Sequence, residues 1–490
     1  MSVRHTDSDP RKGPAPRILI RVRIPIRTRR LLALVERHPV AVLSLLFVLC
    51  VAVFLATISL PRVDNLLIGS DGILYYHYVR SFVIDGDLDF TNEYLYFNGP
   101  AGVPAPTPAG LPPNRMSIGM GVVWLPFFLL AHAIAGLLDL PTDGYSYLYQ
   151  AAVCLGSMVY GFIGLLMIYR LCRQYADAVS SVVSVVLIWF GSNVIYYMVA
   201  EPSMSHMVSL GVVSSFLAWW RLSKSRGSVL YWAVLGALGG LAALIRLQNV
   251  LFLMLPAVQW LFEGARPDSD PRLPDSDPLW QDRRREDFLV HVGRGALMGL
   301  AAVLVFSMQL WAWQTVYGSV FASGYAYGSQ RNFYWLSPQV LQVLFSLRHG
   351  FFTWHPIYLV GAVGLWWVAR EDADKPRPRA YALLLVLAFA LQVYLVAAWR
   401  MWWQADAFGG RMLISTAPVF ALGLAQIVKR LRQANWLWVV IPGGAVLLWN
   451  LAFFVQYRFG FIPMGDAITF RQLVWDKFTL PVELLRRVLH

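Results

Sequence analysis

Three separated stretches of this chain carry side chains capable of chemistry. The first reads Ser70-Asp71-Gly72-Ile-Leu-Tyr75-Tyr76-His77-Tyr78-Val-Arg80 and continues through Asp85, Asp87, Asp89 and Glu93. Tyr75, Tyr78 and Phe82 recur at i, i+3 and i+7, which predicts a short amphipathic helix beginning just after Gly72. Asp71 then lies beside the free N–H groups of a first turn, where the helix dipole keeps a carboxylate ionised. A carboxylate in that position can simply cap the helix, or it can take a proton from a hydroxyl.

The second set is cationic. Arg246 interrupts the apolar run from Val229 to Phe262, within Leu-Ile-Arg246-Leu-Gln248-Asn249. An arginine inside such a run is either functional or snorkels to an interface. If the run is two spans joined near Gln248-Asn249, Arg246 lies at the membrane surface and can meet a phosphate. Arg331 and Arg348 occupy a later loop and offer either phosphate contacts or plain solvated charge. The third stretch is Trp399-Arg-Met-Trp402-Trp403-Gln-Ala-Asp406-Ala-Phe-Gly409-Gly410-Arg411. Tryptophans at an interface are normally anchors, but their faces also stack on sugar rings. Asp406 and Arg411 supply both hydrogen-bonding signs beside them, and the Gly-Gly step lets a ligand approach the backbone. It lacks the spacing of a phosphate-binding P-loop. His132 and His355 lie in apolar stretches and read as packing residues.

The elements that position these groups belong to a membrane protein. The chain is 57% hydrophobic and only 14% charged over 490 residues, against about 25% charged in soluble chains. Its net charge of +13 does not indicate nucleic acid, because the excess sits in the N-terminal arm and in short loops between apolar runs. Cys50, Cys154 and Cys172 make no disulfide framework and no metal motif. The expected fold is all-α and polytopic, with about eleven transmembrane helices and interfacial helices, N-terminus in the cytoplasm and C-terminus outside. Residues 1–38 form a basic cytoplasmic arm and residues 39–456 the membrane domain. Within the latter, 61–146 is a long first outer loop, 264–290 a disordered cytoplasmic loop and 318–350 a second outer loop; 457–490 is an outer tail. Five successive basic loops fall on the cytoplasmic side only if Ile118 to Leu138 does not cross, so that segment is expected to lie at the outer interface.

This order of parts resembles the GT-C superfamily of membrane glycosyltransferases, which includes protein O-mannosyltransferases and the aminoarabinose transferase acting on lipid A. The likeness rests on an N-in first span, a long first outer loop headed by an acid (Ser70-Asp71-Gly72 to Arg80, then Asp85-Gly-Asp87-Leu-Asp89-Phe and Asn92-Glu93-Tyr94), an interfacial helix and many further spans. It differs in one respect: the family's loop often carries two adjacent acids, whereas Gly72 follows Asp71. The resemblance implies transfer of a sugar, with inversion, from a polyprenyl-phosphate donor to a lipid, polysaccharide or protein acceptor on the outer face of a bacterial plasma membrane. Asp71 would be the general base, alone or with Asp89 or Glu93. Arg246, Arg331, Arg348 and Arg411 would serve the donor phosphate. Tyr75, His77, Arg80, Trp402 and Asp406 would contact sugar or acceptor. Some relatives use a divalent metal, for which Glu201 and His206 with Asp71 are the available ligands here, although no metal-binding spacing supports it and loop capping with a buried hydrogen-bonded histidine is the favoured account of them. The alternative is a transporter or flippase, which should show repeated halves; none is visible. A non-catalytic scaffold would leave the loop acids without a task.

Overall fold

The computed structural model describes residues 26–60, 67–224, 227–264, 278–322, 324, 332–373 and 379–489. In chain order the helices are α1 (Ile26–Arg37), α2 (Pro39–Ala56), α3 (Asp71–Arg80), α4 (Thr91–Asn98), α5 (Gly119–Leu137), α6 (Tyr147–Cys172), α7 (Ala178–Phe190), α8 (Val194–Val199), α9 (His206–Leu222) and α10 (Val229–Ile245). Then come α11 (Val250–Gly264), α12 (Pro278–Tyr317), α13 (Val340–Phe345), α14 (Phe351–Trp354), α15 (Ile357–Ala373), α16 (Arg379–Ala398), α17 (Ala417–Ala434), α18 (Leu437–Arg458), α19 (Phe470–Val474) and α20 (Asp476–Leu489). Among the described residues there is no strand, only one antiparallel bridge between Phe333 and Trp399.

Among the described residues, seven helical stretches are long and apolar enough to cross a membrane: α2, α5, α6, most of α12, α16, α17 with its preceding turn, and α18. Three shorter apolar helices accompany them, α7, α10 and the Leu247–Leu261 stretch that carries α11. The seven include α5, which the sequence places at the interface. This helix packs antiparallel to the N-terminal half of α6 only, with Trp124 Nε1 donating to Ser157 at 2.8 Å and His132 meeting the Tyr149 hydroxyl at 2.8 Å. The C-terminal half of α6 instead faces α9, where Gly164 and Gly211 bring the two backbones together. With no lipid surface to bury against one another, membrane helices gain cohesion from such close small-residue contacts. The same device joins α15 to α17 through Gly361, Gly364 and Gly423, and α10 to α12 through Gly236 and Gly240.

The basic loops gather at one end of the bundle. Arg221 Nε donates to Gln174, Lys429 donates to the Tyr175 carbonyl, and Arg432 pairs with Asp177 at 2.7 Å. Helices α9, α10 and α17 run from that end to the opposite one, where His206, Ile245 and Arg411 meet.

Two expectations need correcting. Residues 278–290 are the first turns of α12, not part of a disordered loop; their Asp, Glu and Arg residues are compatible with helix and prolong one already nucleated by the apolar segment. Residues 265–277 lie outside the described residues. Helix α3 is present where its periodicity puts it, but it is buried almost all round rather than amphipathic: Ile73, Tyr75, Tyr76, His77, Tyr78, Val79 and Arg80 are all buried. Helices α4 and α5 enclose it, which a local periodicity cannot reveal.

Candidate functional site

Asp71 is the first residue of α3, after Ser70 in a left-handed conformation (φ 53°). Its carboxylate is not engaged in capping. One oxygen accepts from Arg115 at 3.0 Å, and the other lies 3.7 Å from the Arg411 guanidinium. Gly72 is what lets α3 come so close to the loop before α9: a Cβ there would sit 2.6 Å from the Ser203 hydroxyl. Any side chain at position 72 would have to displace Ser203.

Arg246 reaches the same place by a different route. Helix α10 ends at Ile245, Arg246 turns extended (φ −147°), and a 3-10 turn Leu247–Asn249 leads into α11. Asn249 supports this break by donating to the Ala242 carbonyl at 3.0 Å, which also accepts from Arg246 N–H at 3.1 Å. Gln248 and Gln392 then bond reciprocally, at 3.0 Å in each direction, and Gln248 also donates to the Met412 carbonyl at 2.7 Å. These bonds tie the α10–α11 elbow to α16 and to the Arg411 turn. Arg246 donates to Ser205 at 3.1 Å and meets His206 Nδ1 at 3.1 Å.

Arg411 is presented by a strained turn. Gln404 and Ala405 both have positive φ, and Gly409 (φ 69°) lies so near His355 that a Cβ would sit 2.2 Å from its ring. Phe408 N–H donates to Tyr197 Oη at 2.9 Å, and Met412 N–H to Gln404 Oε1 at 2.7 Å. The buried guanidinium keeps one nitrogen, Nη1, without a hydrogen-bond partner.

Asp71, Arg115, Arg246, His206, Gln248 and Arg411 line a cavity of about 450 Å³. The rest of its wall is mostly apolar: Met116, Ile245, Leu247, Val250, Leu251, Phe333, Leu395, Val396, Trp399 and Met412, with Tyr75 and Ser117. Leu247 and Val250 are also exposed on the outer surface of the bundle. The cavity lining thus combines one carboxylate, paired with Arg115 and Arg411, and a further guanidinium, Arg246, with a set of apolar side chains.

The other sequence candidates separate into two groups. Tyr75 lines the cavity and donates to Ser205 at 3.1 Å. Glu93, His77, Arg80 and Asp89 are not brought to Asp71. Arg80 ends α3, nine residues on, about 13 Å along the axis. There it is clamped by Asp85 and by Glu93 at 2.9 Å, under the Tyr145 ring. Asp89 accepts from Thr91 N–H at 3.0 Å and so starts α4, while His77 is enclosed by Phe90, Tyr94 and Phe97. Arg348 is stapled to the C-terminal segment through the Gly465 carbonyl at 2.7 Å and stacks on Trp403, and Asp406 lies against Gly465. Trp402 packs edge-on to Trp403 and is absent from the cavity wall, where Trp399 stands instead. Arg331 lies outside the described residues. Arg115, not among the sequence candidates, also lines the cavity; its position just ahead of α5 is the one signal the sequence offers.

The donor set does not fit a divalent cation. Glu201 accepts from Tyr196 at 2.7 Å, and burial pushes its carboxyl up toward the neutral form. His206 faces Arg246, and no group of three His, Cys, Asp or Glu able to hold a metal exists among the described residues. A cluster of guanidinium groups attracts an anion instead.

No protein-family profile and no curated protein matches the sequence. Solved structures do. ArnT from Cupriavidus metallidurans in the apo state superposes with a TM-score of 0.50 at 16% identity, over 90% of this chain and 70% of that one. The chain shares the fold of ArnT. ArnT bound to undecaprenyl phosphate gives 0.49 at 16% identity, over 91% and 72%. The archaeal oligosaccharyltransferase AglB from Archaeoglobus fulgidus, with an inhibitory peptide and a dolichol-phosphate, gives 0.41 at 13% identity, over 91% and 54%. Within this frame, the loop between the first span and α6 is the segment that carries Asp71 and Arg115 to the cavity.

Proposed function

We propose that the protein is an inverting GT-C glycosyltransferase that takes its sugar from a polyprenyl-phosphate donor on the outer face of a bacterial plasma membrane. The observation that carries this reading is one cavity whose wall combines Asp71, Arg115, Arg246 and Arg411 with apolar side chains, Arg115 and Arg411 pairing with Asp71. That is the complement of a phosphate bearing a hydrocarbon chain. ArnT, the structural relative, is a transferase that has been solved with undecaprenyl phosphate.

In this reading the donor phosphate is held by Arg246 and Arg411. The acceptor hydroxyl oxygen attacks the anomeric carbon, the bond from that carbon to the phosphate oxygen breaks, and the hydroxyl proton passes to Asp71. Negative charge develops on the departing lipid phosphate, where the preorganised guanidinium groups stabilise it. A phosphate seated between Arg246 and Arg411 also draws Arg411 from Asp71, freeing a carboxylate oxygen for the incoming hydroxyl. One displacement without a covalent intermediate inverts the anomeric centre. The outer-face assignment is supported by the basic loops gathering at the far end of the bundle, and the position of α5 beside only half of α6 supports a helix that does not cross.

The test compares envelope lipids and glycans of a deletion strain complemented with the wild-type chain or with Asp71→Asn. The variant should be produced at wild-type level, still bind undecaprenyl phosphate, and restore none of the missing product. Full complementation by Asp71→Asn removes Asp71 from the chemistry.

A further inference from the structure

The stretch Phe333-Tyr-Trp-Leu336 is unusual for a loop. All four side chains are exposed, Leu336 completely (101%). No charged residue occurs from Phe333 to Leu347. Leu341 and Phe345 on α13 are exposed as well, at 70% and 50%. A contiguous surface of this kind is costly in water and marks a contact with something apolar.

Main-chain bonds fix where the strap lies. Tyr334 N–H donates to the Ala398 carbonyl at 2.6 Å, Gln339 N–H to Ala397 at 2.9 Å, and Arg400 N–H to Asn332 at 2.9 Å. Ala397 and Ala398 end α16, a helix long and apolar enough to cross a membrane. The strap is therefore held at the level where that helix leaves hydrocarbon, the depth at which aromatic side chains are most stable. Its side chains connect two surfaces. Phe333 stacks on Trp335 at 4.9 Å, Trp335 on Tyr394 at 6.2 Å, and the Tyr394 hydroxyl donates to the Trp335 carbonyl at 2.7 Å. At one end of this ladder Phe333 lines the cavity. At the other, Tyr394 joins the exposed flank of α16 with Leu383 and Leu387.

We propose that residues 333–345 are embedded in the lipid leaflet beside the cavity and form the sill of a side portal, along which the hydrocarbon chain of a lipid-linked substrate lies while its phosphate meets Arg246 and Arg411. The occupant of the exposed strap face is bilayer lipid, because that face is continuous with the apolar flank of a crossing helix and carries no charge. The role of the portal rests on the proposed lipid-phosphate site; the embedding does not.

The experiment has two arms. Leu336→Cys is labelled with an environment-sensitive fluorophore in proteoliposomes of phosphatidylethanolamine and phosphatidylglycerol; Cys50, Cys154 and Cys172 are all buried, so the label reports on position 336. Lipids with a nitroxide near the headgroup should lower its emission about twofold, whereas aqueous iodide should have little effect. Iodide quenching without nitroxide quenching overturns the proposal, as does protection from both together with disulfide-linked dimers. In the second arm, Leu336→Asp should lower kcat/KM about tenfold for an undecaprenyl-phosphate-linked sugar and leave a donor with two isoprene units unchanged. Equal loss with both donors overturns the portal. A wild-type chain inactive with either donor retires the transferase reading instead, and the labelling arm still decides the strap.

Discussion

At the end of α3 one cation serves two acids. Arg80 bonds both Asp85 and the fully buried Glu93, so one carboxyl can keep its proton, and burial pushes Glu93 from the ordinary 4.5 up to about 7. Because the folded value lies above the unfolded one, the folded state binds the extra proton, and this stability is complete at low pH and lost as pH rises through about 7. Neighbouring His77, whose ring nitrogens lack partners, is lowered by burial to about 3 and works in the opposite sense, losing stability as pH falls below its ordinary 6.5. Thermal melts in detergent should therefore show Glu93→Gln removing a loss of stability that develops between about pH 4.5 and 7. An unchanged decline would locate the titration elsewhere. In the cavity, Arg411→Lys should cost about 10²-fold in kcat, since a buried fork that stabilises developing charge is not replaced by a point charge. Arg115→Ala should cost at most about fivefold, because that guanidinium is 42% exposed and its pair with Asp71 is screened.

At the scale of elements, the site depends on how closely helices approach. Gly119 opens α5 against the end of α10, and a Cβ there would lie 2.3 Å from the Leu244 carbonyl oxygen, two residues before Arg246. Gly119→Ala should cost about 1–3 kcal/mol in stability and displace Arg246. Gly136 in the same helix faces open space, with no atom within 4 Å of the point an added methyl would occupy, so Gly136→Ala should be neutral or gain up to about 1 kcal/mol. Comparing the two melting points separates packing from helix propensity; equal shifts would deny the tight α5–α10 contact.

For the whole molecule, the separation of charges predicts orientation. Arg173 lies at the end where Arg221, Lys429 and Arg432 converge around residues 174–177, while the exposed Tyr96 and Leu138 lie with the first loop. An impermeant maleimide should label Tyr96→Cys and Leu138→Cys in intact cells and Arg173→Cys only after permeabilisation. The reverse pattern would move the cavity to the cytoplasmic face and end the outer-face mechanism.

What the residues determined alone follows from local and compositional physics. The shortage of charge and the length of the apolar runs required helices in a membrane, because only internally bonded backbone survives there. A helix close behind Asp71, expected just after Gly72 and found to start at Asp71 itself, and the break of the long apolar run beside Arg246 were legible from spacing and from one misplaced charge. Tertiary structure decided the rest. Asp71, Arg115, Arg246 and Arg411 come from elements up to 340 positions apart in the chain, and no periodicity encodes which of them meet. Glu93 and Asp89 share Asp71's loop yet end up across the length of a rigid helix, whereas Arg411 is remote in sequence and stands 3.7 Å away. Close backbone approach at Gly72 and Gly119, together with the Gln248–Gln392 clamp, makes that selection.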